Sequence, residues 1–194
     1  MRSNIFRKLV FLTILVNFLP QLYAEDKRII PLDIYLIIDG STALNASKND
    51  AVAWINEQLV DRILANGDKI TVWNAGNNAK VIYSDSISGG NPEAKNALKE
   101  KLAALETGAR TADFSGALRE VLPRVSQTPQ DRLAYTVLIT ASAEGLEPAL
   151  NGSAQNLLRW FRSEKYERWQ VLVVAPDIGK KVQQKAQSYM SSIR

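Results

Sequence analysis

The chain has 194 residues, with 24 basic and 20 acidic side chains and a formal net charge of +4. It contains no cysteine and no histidine. These absences exclude disulfide bonds, thiol nucleophiles, thiolate metal sites, histidine-ligated zinc and Ser-His-Asp catalysis. Any enzymatic chemistry would have to use carboxylates, hydroxyls and amines alone.

The N-terminus has the pattern of a secretory signal peptide. Three basic residues precede an apolar run at 9–19, and Pro20 ends that run just before Leu22-Tyr23-Ala24. A basic segment, an apolar segment and a small residue at a cleavage point are typical of such a leader. We therefore expect residues 1–24 to be removed, and residues 25–194 to form one secreted domain, periplasmic or extracellular. An uncleaved membrane anchor is the alternative.

The positive charge of the chain belongs mostly to this leader. Residues 1–24 hold three basic and no acidic side chains, so residues 25–194 carry 21 basic and 20 acidic ones, a net charge of +1. No cluster of Lys and Arg with interleaved aromatic residues is present. We therefore expect no nucleic-acid partner, and membrane contact only through an uncleaved signal segment.

The rest of the chain alternates between apolar strands and amphipathic helices. Apolar runs bounded by polar loops predict buried strands, and apolar residues at helical spacing predict helices. In chain order the sequence predicts a strand at 33–38, a helix at 47–65, strands at 69–73 and 79–84, helices at 91–105 and 113–125, a strand at 133–139, a helix at 153–165, a strand at 169–174 and a final helix at 176–190. This order predicts an α/β fold with a mostly parallel sheet, one antiparallel edge strand and helices on both faces.

Local signals indicate several of these boundaries. Ser47, with Asp50 three residues later, resembles a capping box at a helix start. Gly67, within Asn66-Gly67-Asp68, suits the left-handed residue that follows a helix. The dipeptide Asn91-Pro92 indicates an N-cap followed by the first helical residue.

Four segments at the ends of predicted strands and helices carry a recognisable pattern. They are Leu36-Ile37-Ile38-Asp39-Gly40-Ser41, Asn66-Gly67-Asp68-Lys69-Ile70-Thr71-Val72, Gly108-Ala109-Arg110-Thr111 ahead of Phe114-Ser115-Gly116-Ala117-Leu118, and Val137-Leu138-Ile139-Thr140. In this order and at these separations, residues 25–194 resemble a von Willebrand factor type A (vWA) domain over nearly their whole length. The resemblance implies a Rossmann-like three-layer sandwich and a role in interaction.

The resemblance also implies a metal-ion-dependent adhesion site at the C-terminal edge of the sheet, where such domains usually bind Mg²⁺. The family pattern is Asp-x-Ser-x-Ser after the first strand, a Thr before the third helix and an Asp after the fourth strand. Asp39, Ser41 and Thr111 match three positions, whereas Ala43 and Ala141 replace the other two. Because Mg²⁺ needs several fixed oxygens in octahedral geometry, we expect a degenerate site, with no functional metal and no other cofactor.

Three other interpretations of the edge residues stay open. Asp39 either accepts N–H bonds within its own loop or contacts a partner, and Asp113 before a helix can be an ordinary N-cap. A weak Mg²⁺ or Mn²⁺ site at Asp39, Ser41 and Thr111 is the alternative to a metal-free edge, with Asp113 or Glu144 as a substitute carboxylate. A carboxylate-dependent hydrolase would need two of Asp39, Asp113 and Glu144 placed as acid and base.

The function that we expect is a non-enzymatic, vWA-like protein–protein interaction module in the cell envelope or extracellular space. Its recognition edge would consist of the loops at 39–46, 108–113 and 141–148. Its partner would be a protein.

Overall fold

The computed structural model describes residues 28–88, 92–141 and 168–175. The predicted leader and the predicted helices at 153–165 and 176–190 lie outside the described residues, as does Glu144. Within the described part, no helix is both long enough and apolar enough to cross a membrane.

A five-stranded sheet forms the centre of the fold. Its strands are β1 (Leu32–Asp39), β2 (Lys69–Ala75), β3 (Ala79–Ser86), β4 (Leu133–Ile139) and β5 (Trp169–Val174). The spatial order is β3-β2-β1-β4-β5, and the neighbours pair in parallel except β2 and β3, which form an antiparallel hairpin. The predicted α/β class, the mostly parallel sheet and its antiparallel edge strand are confirmed.

Strand β1 lies in the middle of the sheet, between β2 and β4. All eight of its residues are buried. Ile34, Leu36 and Ile38 face one apolar core, while Tyr35 and Ile37 face the other. Both faces of a central parallel strand are covered, which explains why its sequence is a continuous apolar run and does not alternate with polar residues.

Helices cover the two faces of the sheet, as predicted. On one face lie α1 (Lys48–Trp54), its π-helical continuation (Ile55–Asp61) and α2 (Glu93–Ala103). On the other face lies α3 (Phe114–Ser126), which buries Phe114 and Val121 against the sheet. Each side of the sheet therefore has its own apolar core, and the three layers of the predicted sandwich are present.

The first predicted helix is wrong in its C-terminal half. The chain changes from α to π geometry at Ile55, and the helix ends at Asp61, short of residue 65. Just beyond it, the backbone N–H of Leu64 still donates to the carbonyl of Leu59, five residues back, at 2.9 Å. The predicted capping box is also wrong, because Ser47 stands at the N-cap but its side chain makes no capping hydrogen bond.

The turn into β2 explains Gly67. Its φ of +88° lies in the left-handed region, as the sequence predicts. The helix has already ended several residues earlier, so Gly67 serves the turn before β2 and does not cap the helix. Its N–H donates to the carbonyl of Ile87 at 2.8 Å, which ties this turn to the end of the β2–β3 hairpin.

Two ion pairs with little exposure fasten the N-terminal edge of the sheet, opposite the predicted site. Arg28 contacts Asp68 at 2.7 Å, and Asp68 also accepts the N–H of Leu32 at 2.8 Å. Arg132 contacts Asp33 at 2.6 Å and donates to the carbonyl of Leu32 at 2.7 Å. Charged groups at this edge therefore hold the start of β1 and serve the fold.

Candidate functional site

The site begins where β1 ends, at Asp39. This residue is only 3% exposed. One carboxylate oxygen accepts the N–H of Ser41 at 2.8 Å, and the other accepts the N–H of Ala141 at 3.2 Å. Asp39 therefore accepts an N–H bond within its own loop, as one of the two interpretations expects, and it also links this loop to the loop that follows β4.

The loop after Asp39 is held by a second loop that precedes α3. The N–H of Ala109 donates to the carbonyl of Gly40 at 3.1 Å, and the N–H of Thr42 donates to the carbonyl of Ala109 at 2.8 Å. These bonds form an isolated parallel bridge between Ser41 and Ala109. The segments around Asp39 and Thr111 thus meet at the C-terminal edge, as the resemblance to vWA domains implies.

Asn74, at the end of β2, makes the third connection at this edge. Its Nδ2 donates to the carbonyl of Glu106 at 2.8 Å, which holds the loop before α3 against the sheet. A Cβ at Gly40 would overlap the side-chain oxygen of Asn74 and would lie 3.0 Å from the backbone nitrogen of Gly76. Position 40 therefore needs glycine because of this close approach.

Asp113 is a structural cap. Its Oδ1 accepts the N–H of Gly116 at 2.8 Å in the first turn of α3, and its Oδ2 accepts the N–H of Ala79 at 3.2 Å. Its own N–H donates to the carbonyl of Gly76 at 2.9 Å. The N-cap interpretation is confirmed, and the carboxylate also ties α3 to the β2–β3 turn.

The remaining predicted site residues differ in exposure. Ser41 is buried at 5% exposure, Thr111 and Ala43 are exposed, and Ala141 is half-buried. Within the described residues, Thr111 makes no side-chain hydrogen bond, and none joins it to Asp39 or Ser41. The structure therefore brings Asp39, Ser41 and Ala141 into one hydrogen-bonded group, with Thr111 on the neighbouring loop.

The described carboxylates at this edge already accept hydrogen bonds from backbone amides. Asp39 is the one carboxylate in the bonded group, and both of its oxygens already accept backbone N–H groups. The carboxylate of Asp113 is likewise bound to two N–H groups. No group of three or more Asp, Glu, His or Cys residues in the described part of the chain could hold a metal. Because Mg²⁺ takes several fixed oxygens in octahedral geometry, these contacts favour the metal-free interpretation of this edge.

An open cleft of about 780 Å³ lies next to the Asp39 loop. Its walls include Lys48 at the start of α1, Lys80 on β3, Asn74 and the loop at 105–109. Sequence reasoning missed Lys48, Lys80 and Asn74. For Asn74 a signal existed, because parallel pairing places the ends of β1 and β2 at one edge, but the predicted strand ended at residue 73, two residues before the end of β2. No pattern in the sequence brings the two lysines together.

Comparison with known proteins yields solved structures only. No family model and no curated protein match the chain. A von Willebrand factor type A structure from Catenulispora acidiphila superposes with a TM-score of 0.54 at 13% identity, over 84% of this chain and 43% of its own length. The pilus adhesin SpaC from Lactobacillus rhamnosus GG, in an open conformation, gives 0.56 at 11% identity, over 86% and 30%. Proximal thread matrix protein 1 from the mussel byssus gives 0.52 at 15%, over 84% and 45%.

These similarities establish the fold. The chain has the Rossmann-like α/β fold of the vWA domains, as its sequence predicts. It spans less than half the length of each of these three structures. At such low identity, their ligands and assemblies do not transfer to this chain.

Proposed function

We propose that this chain is a vWA-like protein–protein interaction module, non-enzymatic, which works at the C-terminal edge of its sheet without a resident metal ion. The observation that carries the proposal is the double hydrogen bond of Asp39. Its carboxylate accepts the backbone N–H groups of Ser41 and Ala141 at 2.8 and 3.2 Å. The carboxylate that would bind a metal ion in the family pattern therefore connects two loops instead.

The shape of the edge supports a role in recognition. Thr42, Ala43, Arg110 and Thr111 are exposed on two loops whose backbones are fixed by hydrogen bonds to each other. A rigid loop pair loses little conformational freedom when a partner binds, so more of the contact energy appears as affinity. One structure of the same fold is named a pilus adhesin and another a thread matrix protein. Both names are compatible with a binding module.

The hydrolase alternative has no support in the geometry. General acid and base catalysis needs two carboxylates free to exchange protons with a substrate. Asp39 and Asp113 each use both oxygens for backbone N–H groups, and Glu144 lies outside the described residues. These backbone contacts support the non-enzymatic part of the proposal.

Export is part of the same proposal. A leader at residues 1–24 would deliver the domain to the periplasm or the extracellular space, where a protein partner would meet it. Mass spectrometry of the protein from its native source tests this point. A mature N-terminus at Glu25 is expected, and an intact chain beginning at Met1 would show that the segment is retained.

Site-specific photo-crosslinking tests the interaction surface. A benzophenone amino acid is placed at Thr42 or at Thr111, and a matched control carries it at Asn66, which is exposed at the opposite edge. We expect the two loop positions to yield the same crosslinked protein in native cells, and the Asn66 position to yield none of it. Equal capture from all three positions, or from Asn66 alone, would remove the C-terminal edge from the proposal.

A further inference from the structure

We propose that the cleft between α1, β2 and β3 binds an acidic segment of the protein partner, with Lys48 and Lys80 as its charged contacts. This inference rests on the proposed function and specifies the chemistry of the partner. The cleft, of about 780 Å³, opens beside Gly40 and is lined by both lysines. We refer to it below as the lysine cleft.

The charge of the lysine cleft is unbalanced. Among the described residues on its walls, Glu106 is the one acidic side chain, against Lys48 and Lys80. In the part of the chain that the structure describes, none of these three side chains forms an ion pair. Like charges in a concave site with protein walls create a stronger local potential than the same charges on a flat surface. The potential in this cleft favours an anionic ligand.

The two lysines come from separate elements that the fold brings to one cavity. Lys48 begins α1, and Lys80 lies on β3, beyond β2 and its turn. A lysine on the protein surface is usually a solvated charge. Where an acidic side chain lies close by, a lysine of this chain pairs with it, as Lys99 does with Asp61 at 2.6 Å. Lys48 and Lys80 therefore offer two cationic contacts to carboxylates that enter the cleft.

The walls of the lysine cleft are fixed before any ligand arrives. Asn74 holds the carbonyl of Glu106 at 2.8 Å, and Asn77 accepts the N–H of Arg110 at 3.1 Å. These bonds attach the loop before α3 to the β2–β3 turn across the cleft. A preformed cavity avoids the free-energy cost of ordering loops on binding.

The size of the lysine cleft is sufficient for a peptide segment. Cavities of roughly 300–1,000 Å³ hold drug-sized ligands, and this one lies within that range at about 780 Å³. Its lining also offers the side-chain amide of Asn78, which can donate to and accept from a peptide backbone, and the Nδ2 of Asn77 as a donor. A few residues of extended chain carrying Asp or Glu match both the volume and the charge.

The test uses a defined probe and the purified protein labelled with ¹⁵N. End-blocked hexaglutamate is titrated in low salt while backbone amide signals are followed, with end-blocked hexaglutamine as the uncharged match. We expect saturable shifts for amides at 76–80 and 106–109 with hexaglutamate and none with hexaglutamine. Lys48→Gln with Lys80→Gln should weaken binding about tenfold. Lys69→Gln, at the opposite end of β2, should leave it unchanged.

A second variant adds a bulky side chain at the wall of the cavity without altering charge. A Cβ at Gly108, which lines the cleft, meets no heavy atom within 4 Å, so Gly108→Tyr is expected to fold normally and to reduce hexaglutamate binding. Unchanged binding by both the double lysine variant and Gly108→Tyr would overturn the inference. So would the absence of shifts at 76–80 and 106–109, or tighter binding of hexathymidylate than of hexaglutamate, which would indicate a nucleic-acid surface.

The outcome is separable from that of the proposed function. If hexaglutamate does not bind while the Thr42 and Thr111 positions still crosslink a partner, the proposed interaction module is supported, and the lysine cleft does not bind an acidic segment of that partner. If hexaglutamate binds at the lysine cleft while neither loop position crosslinks a protein, the anion site stands and the interaction module does not.

Discussion

The Oδ2 atom of Asp39 accepts the backbone N–H of Ala141 at 3.2 Å. This bond joins the loop after β1 to the loop after β4, two strands that are paired along their whole length. The resemblance to vWA domains would place a carboxylate at position 141 and an ion between the loops. Here a hydrogen bond from the backbone connects them directly.

Removing the Asp39 carboxylate should destabilise the protein. Asp39→Ala leaves the amides of Ser41 and Ala141 without their acceptor, at a cost of about 1–3 kcal/mol for each buried group. Asp39→Asn keeps one acceptor oxygen and should lose less. Urea denaturation followed by circular dichroism measures both. Asp131→Ala, which removes an exposed carboxylate, is the control. Equal stability of Asp39→Ala and this control would show that the hydrogen bonds of Asp39 to the two loops do not stabilise the fold.

Gly40 should not tolerate a side chain. Gly40→Ala pushes against the amide of Asn74, and moving that amide breaks its 2.8 Å hydrogen bond to the carbonyl of Glu106. We expect a loss of about 1–3 kcal/mol, since overpacking typically costs this much. Gly108→Ala is the matched control because its Cβ meets nothing within 4 Å. Similar melting temperatures for the two variants would show that the Gly40 contact is not tight.

Arg132 should contribute to stability through its place at the opposite edge. Arg132→Ala leaves Asp33 without its partner at 2.6 Å and also removes the 2.9 Å hydrogen bond to the carbonyl of Gly67. Breaking a buried ion pair costs about 3–5 kcal/mol. Arg132→Lys retains the positive charge but not the planar guanidinium group. Its free energy of unfolding should therefore lie between those of the natural protein and Arg132→Ala. A loss below about 1 kcal/mol for Arg132→Ala would mean that the pair behaves as an exposed one.

Tyr83 gives the protein an alkaline transition. Burial, with the Asp85 carboxylate nearby, raises the pKa of Tyr83 to about 12 from 10.0. The folded state therefore holds this proton more tightly, so its contribution to stability is complete below pH 10 and is lost as the pH rises towards 12. Unfolding free energies at pH 9 to 12 should fall more steeply for the natural protein than for Tyr83→Phe. Parallel curves, or a tyrosine titration midpoint near 10 at this residue, would contradict the shift.

Much of the fold could be predicted because its signals are local. The runs at Leu133–Ile139 and Trp169–Val174 are bounded by polar residues, and both strands begin and end where the sequence predicts. The π-helix after Trp54 could not be predicted, because the same apolar residues fit α and π geometry and only packing against the sheet distinguishes them. The fastening of the opposite edge by Arg28 and Arg132 was also missed, since ion pairs between residues distant in sequence leave no periodic signal.

The candidate site was predictable in position but not in its interactions. The resemblance to vWA domains predicted that the loops after β1 and before α3 would lie at one edge, and the Ser41–Ala109 bridge shows that they meet. The orientation of the Asp39 carboxylate is set by hydrogen bonds from backbone N–H groups. Every residue except proline carries such a group, so the residue types in the sequence do not indicate these contacts. Lys48 and Lys80 share a cleft only because α1 and β3 flank the same end of β2.

Restoring the missing oxygens should create a metal site. In a variant with Ala43→Ser and Ala141→Asp, a second carboxylate approaches Asp39, and their repulsion should lower the melting temperature in the presence of a chelator. Added Mg²⁺ should reverse this loss, because an ion that binds only the folded state stabilises it by mass action. A single Ala43→Ser variant, which adds no charge, is the control. No response of the double variant to Mg²⁺ would show that the loops cannot adopt a coordinating geometry.

The most direct measurement is calorimetric titration of the natural protein with Mg²⁺ and with Mn²⁺, beside the Ala43→Ser and Ala141→Asp double variant. If the Asp39 carboxylate serves as a brace between loops, the natural protein shows no saturable heat at millimolar metal, while the double variant does. Saturable binding by the natural protein that disappears in Asp39→Ala would contradict a metal-free edge.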